Sequence, residues 1–224
     1  SRNEFVLKPA CGAGGRGVTV IRGRSTEGFL VGRETVLSLA DLKYHLSTTL
    51  SGLYSLGGQP DRVIIEQRIV PHPVFRDIAV EGTPDIRIIV YRGTPVMTML
   101  RLPTKESRGR ANLHQGAVAA GVDLERGITT GGVWRNRAVD RHPDTGAVLA
   151  GVAIPFWRQA LEISCVLGRA TGLGFVGVDV VLDVQRGPVV LEANARPGLS
   201  VQIANRRGLA RVLASAGGWP PGAT

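Results

Sequence analysis

Lysine, cysteine and aromatic residues are scarce in this chain, and no long apolar run interrupts it. Of its 27 basic residues only Lys8, Lys43 and Lys105 are lysines, so arginine carries most of the positive charge behind the net +9. Two cysteines exclude a disulfide framework, and no Cys/His grouping has zinc spacing. Cys165 falls on an apolar helical stretch and reads as a small buried hydrophobe, whereas Cys11 sits in a glycine-rich loop with no base near it in sequence. Aromatics make up 5% of residues and the arginines are spread along the chain, so the stacking platforms and basic stripes of nucleic-acid binders are missing. A basic field still favours anionic partners, nucleotide phosphates among them. No apolar run reaches the roughly 20 residues a membrane-spanning helix needs, and no signal peptide opens the chain. The expectation is a soluble, cytoplasmic protein.

What is present is enough for a packed core: 224 residues, 43% of them hydrophobic. The chain opens Ser1-Arg2-Asn3-Glu4 without an initiator methionine, which reads as a fragment lacking an N-terminal region. Short strands are expected at 4–8, 18–22 and 29–31. A helix then starts at the capping-box-like Ser38-Leu-Ala-Asp41, with Leu39, Leu42, Leu46, Leu50 and Leu53 as a core-facing stripe. Residues 62–69 read as a strand, 70–84 as a long loop, and 85–92 with 95–101 as a hairpin. The polar segment 103–115 follows, then a strand pair at 117–122 and 128–134. A helix is expected over 155–171 with proline at its start, and another from about 200 to 214. Helices and antiparallel pairs in separate blocks predict an α+β fold with a boundary near Ile69: a small lobe, 1–69, and a larger one, 70–224.

Two segments carry chemistry. FVLKPACGAGGRGV places Lys8 at the end of a strand, followed by Gly12, Gly14, Gly15 and Gly17. Such a loop brings backbone N–H groups close to phosphate oxygens while a lysine adds a point charge. The lysine precedes the glycines and a strand follows, so neither a Walker motif nor a dinucleotide fingerprint fits. Far downstream, GVDVVLDVQRGPVVLEANARPG presents Asp179, Glu192 and Asn194 as oxygen ligands of the kind hard divalent cations take. A two-residue turn at Gln185 and Arg186 would set Asp179 opposite Glu192, and Glu192 shares a face with Asn194. Solvated strand caps and a flexible hairpin loop are the bland alternatives for these two segments.

Taken together, a lysine before a glycine-rich loop, a hinge strand and a distant D…E-x-N hairpin resemble the ATP-grasp superfamily. SLGGQPD (55–61), PDIRIIVY (84–91), RANLHQGA (110–117), HPDTG (142–146) and LEANARPGLSVQIAN (191–205) are similar to the RimK-related α-L-glutamate ligase-like branch. The resemblance implies two lobes with mainly antiparallel sheets clasping ATP. It implies Lys8, Gly12, Gly14, Gly15 and Gly17 on the phosphates, with Lys105 as a further phosphate contact, and Glu66, Gln67 and Ile69 at the adenine. It also implies one or two Mg²⁺, with Mn²⁺ as an alternative ion, on Asp179, Glu192 and Asn194. Arg87, Arg110 and Arg196 would face the γ-phosphate, and Asn112 and His114 the substrate, with His114 as a proton acceptor. His142 and Asp183 read as structural. The implied activity is an ATP-dependent carboxylate–amine ligase working through an acyl phosphate on small-molecule or peptide carboxylates and amines, glutamate among them. The rival is a non-catalytic ATP-binding signalling protein.

Overall fold

The computed structural model describes residues 3–12, 14–32 and 35–216. The chain divides into two compact units, Ser1–Ile69 and Val70–Thr224, each built on an antiparallel sheet.

In the first unit β1 (Phe5–Pro9), β2 (Thr19–Arg24), β3 (Phe29–Val31), β4 (Thr35–Leu37) and β5 (Val63–Gln67) form a sheet in the order β4-β3-β2-β1-β5. Helix α1 (Leu39–Leu50) crosses from β4 to β5. Ser38 accepts the Asp41 N–H at 3.1 Å while Asp41 accepts the Ser38 N–H at 3.0 Å, so an aspartate completes the box that glutamate or glutamine usually closes. The leucine stripe is a correction. Leu42 is buried with Thr49, but Leu39, Leu50 and Leu53 are 56%, 50% and 59% exposed. The apolar stripe is wider than the face that the helix turns inward, so helical spacing alone overstates the core.

The second unit adds β6 (Asp85–Tyr91), β7 (Thr94–Leu102), β8 (Val118–Val122), β9 (Thr129–Trp134), β10 (Arg137–Val139), β11 (Phe175–Asp183) and β12 (Gly187–Asn194), ordered β10-β9-β8-β7-β6-β11-β12. Alternation along β6 sorts the two faces. Ile86, Ile88 and Val90 join Leu100, Val118, Val178 and Val180 in one core, which α2 (Trp157–Ala170) covers through Trp157 and Ala160. Ile89 lies on the other face with Met97, Met99 and Ala119, under Val201 and Ala204 of α3 (Ser200–Asn205) and Leu209, Val212 and Leu213 of α4 (Leu209–Ser215). That second face carries Arg87, Asp179 and the chemistry.

The expected single helix from 200 to 214 is two. Arg206 turns left-handed (φ 50°) and Gly208 caps α4, a break that lets both short helices lay an apolar edge on the sheet. Helix α2 begins after a left-handed Phe156, so Pro155 precedes the helix rather than opening it. Strands β4 and β10, three residues each, carried too little pattern to be expected. α3 can approach β8 because Gly121 has no side chain: a Cβ there would stand 2.6 Å from the Ala204 carbonyl oxygen. Asn205 fixes the same helix by donating to the Thr98 carbonyl at 2.8 Å.

Candidate functional site

In the small unit, β1 and β5 pair antiparallel with Lys8 opposite Ile64 and Val6 opposite Glu66. The diagonal brings Lys8 Nζ to Glu66 Oε1 at 2.6 Å, so a residue expected at the phosphates and one expected at the adenine are joined in an ion pair. Gln67 ends β5, and Ile69 follows it, half-buried.

The glycine loop is anchored at both ends. The Asp61 carboxylate accepts the Cys11 N–H at 3.0 and 3.2 Å, and the Cys11 carbonyl accepts the Leu56 N–H at 2.9 Å. Gly12 bridges Ser55. At the far end His45 Nε2 lies 3.2 Å from the Gly17 carbonyl oxygen. Gly17 itself has φ +72°, and a Cβ there would meet the Tyr54 ring at 2.5 Å, so this position tolerates only glycine. Gly14 and Gly15 between these anchors are also left-handed (φ 62° and 71°). Asp61 lies in the SLGGQPD motif, but its anchoring role needed the tertiary pairing of segments far apart in sequence.

In the large unit Asp179 does face Glu192, though by another construction than a two-residue turn. The β11–β12 connection is the three residues 184–186, closed by a left-handed Gly187 (φ 71°), which offsets the ladder by one. A bulge between Asp179 and Val180 removes that offset, restoring the Asp179–Glu192 pair. Asp183 holds the turn: it accepts the N–H groups of Gln185 and Arg186 at 3.0 Å each, and that of Val70 at 3.0 Å. Burial pushes its pKa up, but these donors and Arg186 outweigh it, leaving the carboxyl well below the usual range.

Around Asp179, 2% exposed, a charged cluster closes. Arg87 donates through Nε to Oδ1 at 2.7 Å and through Nη2 to Oδ2 at 2.6 Å. Arg101 Nη2 reaches Asp179 Oδ2 at 2.7 Å while its Nε donates to Asp85 Oδ1 at 2.5 Å. Asn194 Nδ2 lies 3.0 Å from Glu192 Oε1 and 3.5 Å from Asp179 Oδ2. Burial raises the Asp179 pKa, yet the Arg87 hydrogen bonds and the charges of Arg101 and Arg87 bring it below the ordinary value. At Asp85 burial dominates: against the pull of Arg101 and with the added push of Asp179, its carboxyl rises to about 7. Arg101 stays firmly charged because Asp85 and Asp179 outweigh the cost of its burial.

Asp85 and Arg101 were missed in the sequence. The signal was there, a charge inside each of two apolar strands, DIRIIVY and MTMLRL, but their partnership follows only from the Asp85–Arg101 register. By residue type the two carboxylates and the amide are oxygen donors of the kind a hard divalent cation takes, but here both Asp179 oxygens accept from guanidiniums and Asn194 turns Nδ2 toward the two carboxylates.

Other expected residues lie on the segments that follow β7 and β12. Lys105, Arg110, Asn112 and His114 ride on the segment 103–116, and Arg196 is exposed in the turn after β12. Among the described residues no hydrogen bond or ion pair links their side chains to Asp179. Asn112 Oδ1 caps the 3₁₀ turn Leu113–Gln115 by accepting the His114 N–H at 3.0 Å. The Lys105 N–H is taken by Asp144 at 2.8 Å. His142, buried, contacts the Pro103 carbonyl through Nε2 at 3.1 Å and so ties the HPDTG turn to the same segment.

A lysine and anchored glycine loop on one antiparallel sheet, and a D…E-x-N hairpin on a second, define a chain of the ATP-grasp class. This chain belongs to the sugar-transfer associated ATP-grasp family, whose model matches residues 1–217. A probable alpha-L-glutamate ligase of Sodalis glossinidius (strain morsitans) is 30% identical over 122 residues, which cover 54% of this chain and 30% of that protein. The chain thus spans under a third of that relative. Among solved structures, the ATP-grasp ligase PsnB with a phosphomimetic variant of its minimal precursor, Mg and ADP is similar over 95% of this chain and 44% of its own (11% identity, TM-score 0.44). The D-alanine–D-alanine ligase of Bacillus anthracis with ATP matches 96% of this chain and 45% of its own (14%, 0.42). The D-cycloserine synthetase DcsG matches 96% and 56% (17%, 0.44).

Proposed function

We propose that this chain supplies the ATP site of a carboxylate–amine ligase. The observation that carries the reading is the convergence of Asp179, Glu192 and Asn194 with Arg87 and Arg101 on one sheet face, in a chain of the ATP-grasp family.

In this reading the substrate carboxylate attacks the γ-phosphorus of ATP, giving an acyl phosphate and ADP. The amine then adds to the acyl carbon, phosphate leaves, and an amide remains. Phosphoryl transfer of this kind depends on positioning and charge neutralisation rather than on a protein nucleophile. Lys8 and the loop from Gly12 through Gly14, Gly15 and Gly17 hold phosphates, aided by Lys105. Glu66, Gln67 and Ile69 present backbone to the adenine. Asp179, Glu192 and Asn194 hold Mg²⁺, which neutralises phosphate charge when bound. Arg87, Arg110 and Arg196 stabilise the transferring phosphoryl group, Asn112 orients substrate, and His114 takes the proton that the substrate ammonium loses in becoming the attacking amine. Glutamate, named in the curated relative, is a candidate for the carboxylate substrate.

The test is ADP release by the full-length protein across paired carboxylates and amines, with Asp179→Ala/Glu192→Ala as the control. The double variant should lose substrate-dependent release. Turnover unchanged in that variant would overturn the metal assignment, and tight ATP binding without any release would favour the signalling alternative.

A further inference from the structure

The large unit holds a cavity of about 330 Å³ whose walls include Glu106, His114, Val133, Arg135, Ser200 and Ile203. Both segments leaving the Asp179 cluster run into it: β7 passes Arg101 and continues to Glu106, and β12 passes Asn194 and continues to Ser200.

The walls are rigidly built. Thr104 and Ser107, both buried, cross-bond through their hydroxyls, with the Thr104 N–H to Ser107 Oγ at 2.9 Å and the Ser107 N–H to Thr104 Oγ1 at 3.0 Å. The Gly116 carbonyl accepts Thr104 Oγ1 at 2.8 Å and Trp134 Nε1 at 2.9 Å, joining the 103–116 segment to β9. Arg135 and Asn136 form the β9–β10 turn with φ of 50° and 60°, a left-handed conformation that few non-glycine residues adopt. Arg135 is fixed there by stacking 4.9 Å over the Trp134 ring and by an ion pair with Glu106 at 2.9 Å. An acid and a base thus stand side by side on the wall, their side chains 39% and 61% exposed, and the apolar Leu113, Val133 and Ile203 are also part of the lining.

We propose that this cavity binds the amine substrate of the ligation as a free amino acid with an apolar side chain, its carboxylate on Arg135 and its ammonium on Glu106. This rests on the ligase reading. A solvent-facing ion pair contributes little, so a zwitterion that inserts and re-pairs both groups gives up little. Each new contact is again a charge-assisted hydrogen bond, screened to the same degree as the one it replaces. Arg135 is the one guanidinium among the lining residues, so a second carboxylate on the ligand would face Glu106 without a guanidinium of its own. Glutamate is therefore a poor occupant of this cavity even if it serves as the carboxylate substrate.

The experiment is equilibrium binding of L-leucine, L-leucinamide, N-acetyl-L-leucine and L-glutamate to the full-length protein by calorimetry, with and without a non-hydrolysable ATP analogue and Mg²⁺. Leucine should bind up to about fivefold tighter than the other three, the factor that corresponds to one lost solvent-facing charged contact of about 1 kcal/mol. Arg135→Gln should erase the preference over the amide and Glu106→Gln the preference over the N-acetyl compound. Arg135→Lys, which keeps the charge, should retain the first preference and guards against misfolding of the glutamine variant. Equal binding of the blocked compounds, tighter glutamate binding, or no leucine binding under either condition overturns the proposal. ADP release separates the two readings: leucine binding without turnover sinks the ligase and leaves the zwitterion site, whereas turnover without leucine binding sinks the site alone.

Discussion

Arg87 grips Asp179 with both arms of its fork, Nε to Oδ1 at 2.7 Å and Nη2 to Oδ2 at 2.6 Å, because the two residues stand directly opposite on β6 and β11. Arg101 adds a third donor and carries the charge on to Asp85. A buried carboxylate is thus kept ionised by guanidiniums, and removing a guanidinium leaves a buried carboxyl group without its partner.

Arg101→Met should therefore destabilise the large unit by about 1–3 kcal/mol, the cost of leaving the buried Asp85 carboxyl, which then takes up a proton, without its partner. Adding Asp85→Leu should recover most of that loss, since Asp179 keeps Arg87. Urea denaturation of the single and double variants checks it. A double variant no more stable than Arg101→Met would show that the loss does not come from the unpartnered Asp85 carboxyl.

Lys8→Met should behave in the opposite way. Lys8 and Glu66 side chains are 26% and 42% exposed, so solvent screens the pair and stability should change by less than about 1 kcal/mol. ATP affinity should nevertheless fall about tenfold or more, read by titration with a fluorescent ATP analogue, the removed contact being a charge-assisted bond of about 1.5–3 kcal/mol. Unchanged affinity would remove Lys8 from the phosphates.

Gly121→Ala should cost about 1–3 kcal/mol by overpacking. The new methyl would stand 2.6 Å from the Ala204 carbonyl oxygen and 2.8 Å from Thr130 Oγ1, and the backbone partner cannot swing aside. Thermal unfolding reports it, and amide exchange in 200–205 should quicken as α3 lifts.

Two buried groups give pH dependences of opposite sign. His142 accepts the Asp144 N–H at Nδ1 (3.3 Å), so Nε2–H donates to Pro103 and the ring is neutral. Burial holds its pKa below the ordinary value against the Pro103 contact and Asp144. The unfolded chain takes the proton more readily, so this stability is present above about pH 6.5 and is lost as pH falls. Asp85, at about 7 when folded, holds its proton better than the unfolded chain. Its contribution is full below about pH 4 and is lost as pH rises through 7. Denaturation midpoints between pH 5 and 8 should drop less on acidification in His142→Gln, and less on alkalinisation in Asp85→Asn, than in the parent.

Much of this was legible in the residues. The glycine loop with its preceding lysine, the D…E-x-N hairpin and the strand pairs of the large unit announce themselves through local signals: glycine where the backbone must turn left, alternation where one sheet face is buried. The leucine stripe of α1 misled because helical spacing reports a face without saying how much of it will be covered. The 200–214 segment misled for a related reason, since its apolar positions fit one helix or two and the break at Arg206 is set by what α3 and α4 pack against.

Which side chains could do chemistry, and roughly which strands would carry them, follows from the order of residues alone. Side-chain type and period-two or period-3.6 spacing are properties of short stretches. Only the tertiary structure decided that a bulge would bring Asp179 back opposite Glu192, that Arg101 would bridge Asp85 to Asp179, that Asp61 would anchor Cys11, and that Glu106 would meet Arg135 at a cavity. Those pairings depend on strand register and loop closure between residues distant along the chain, and hydrogen-bond geometry is satisfied only once the whole sheet is in place.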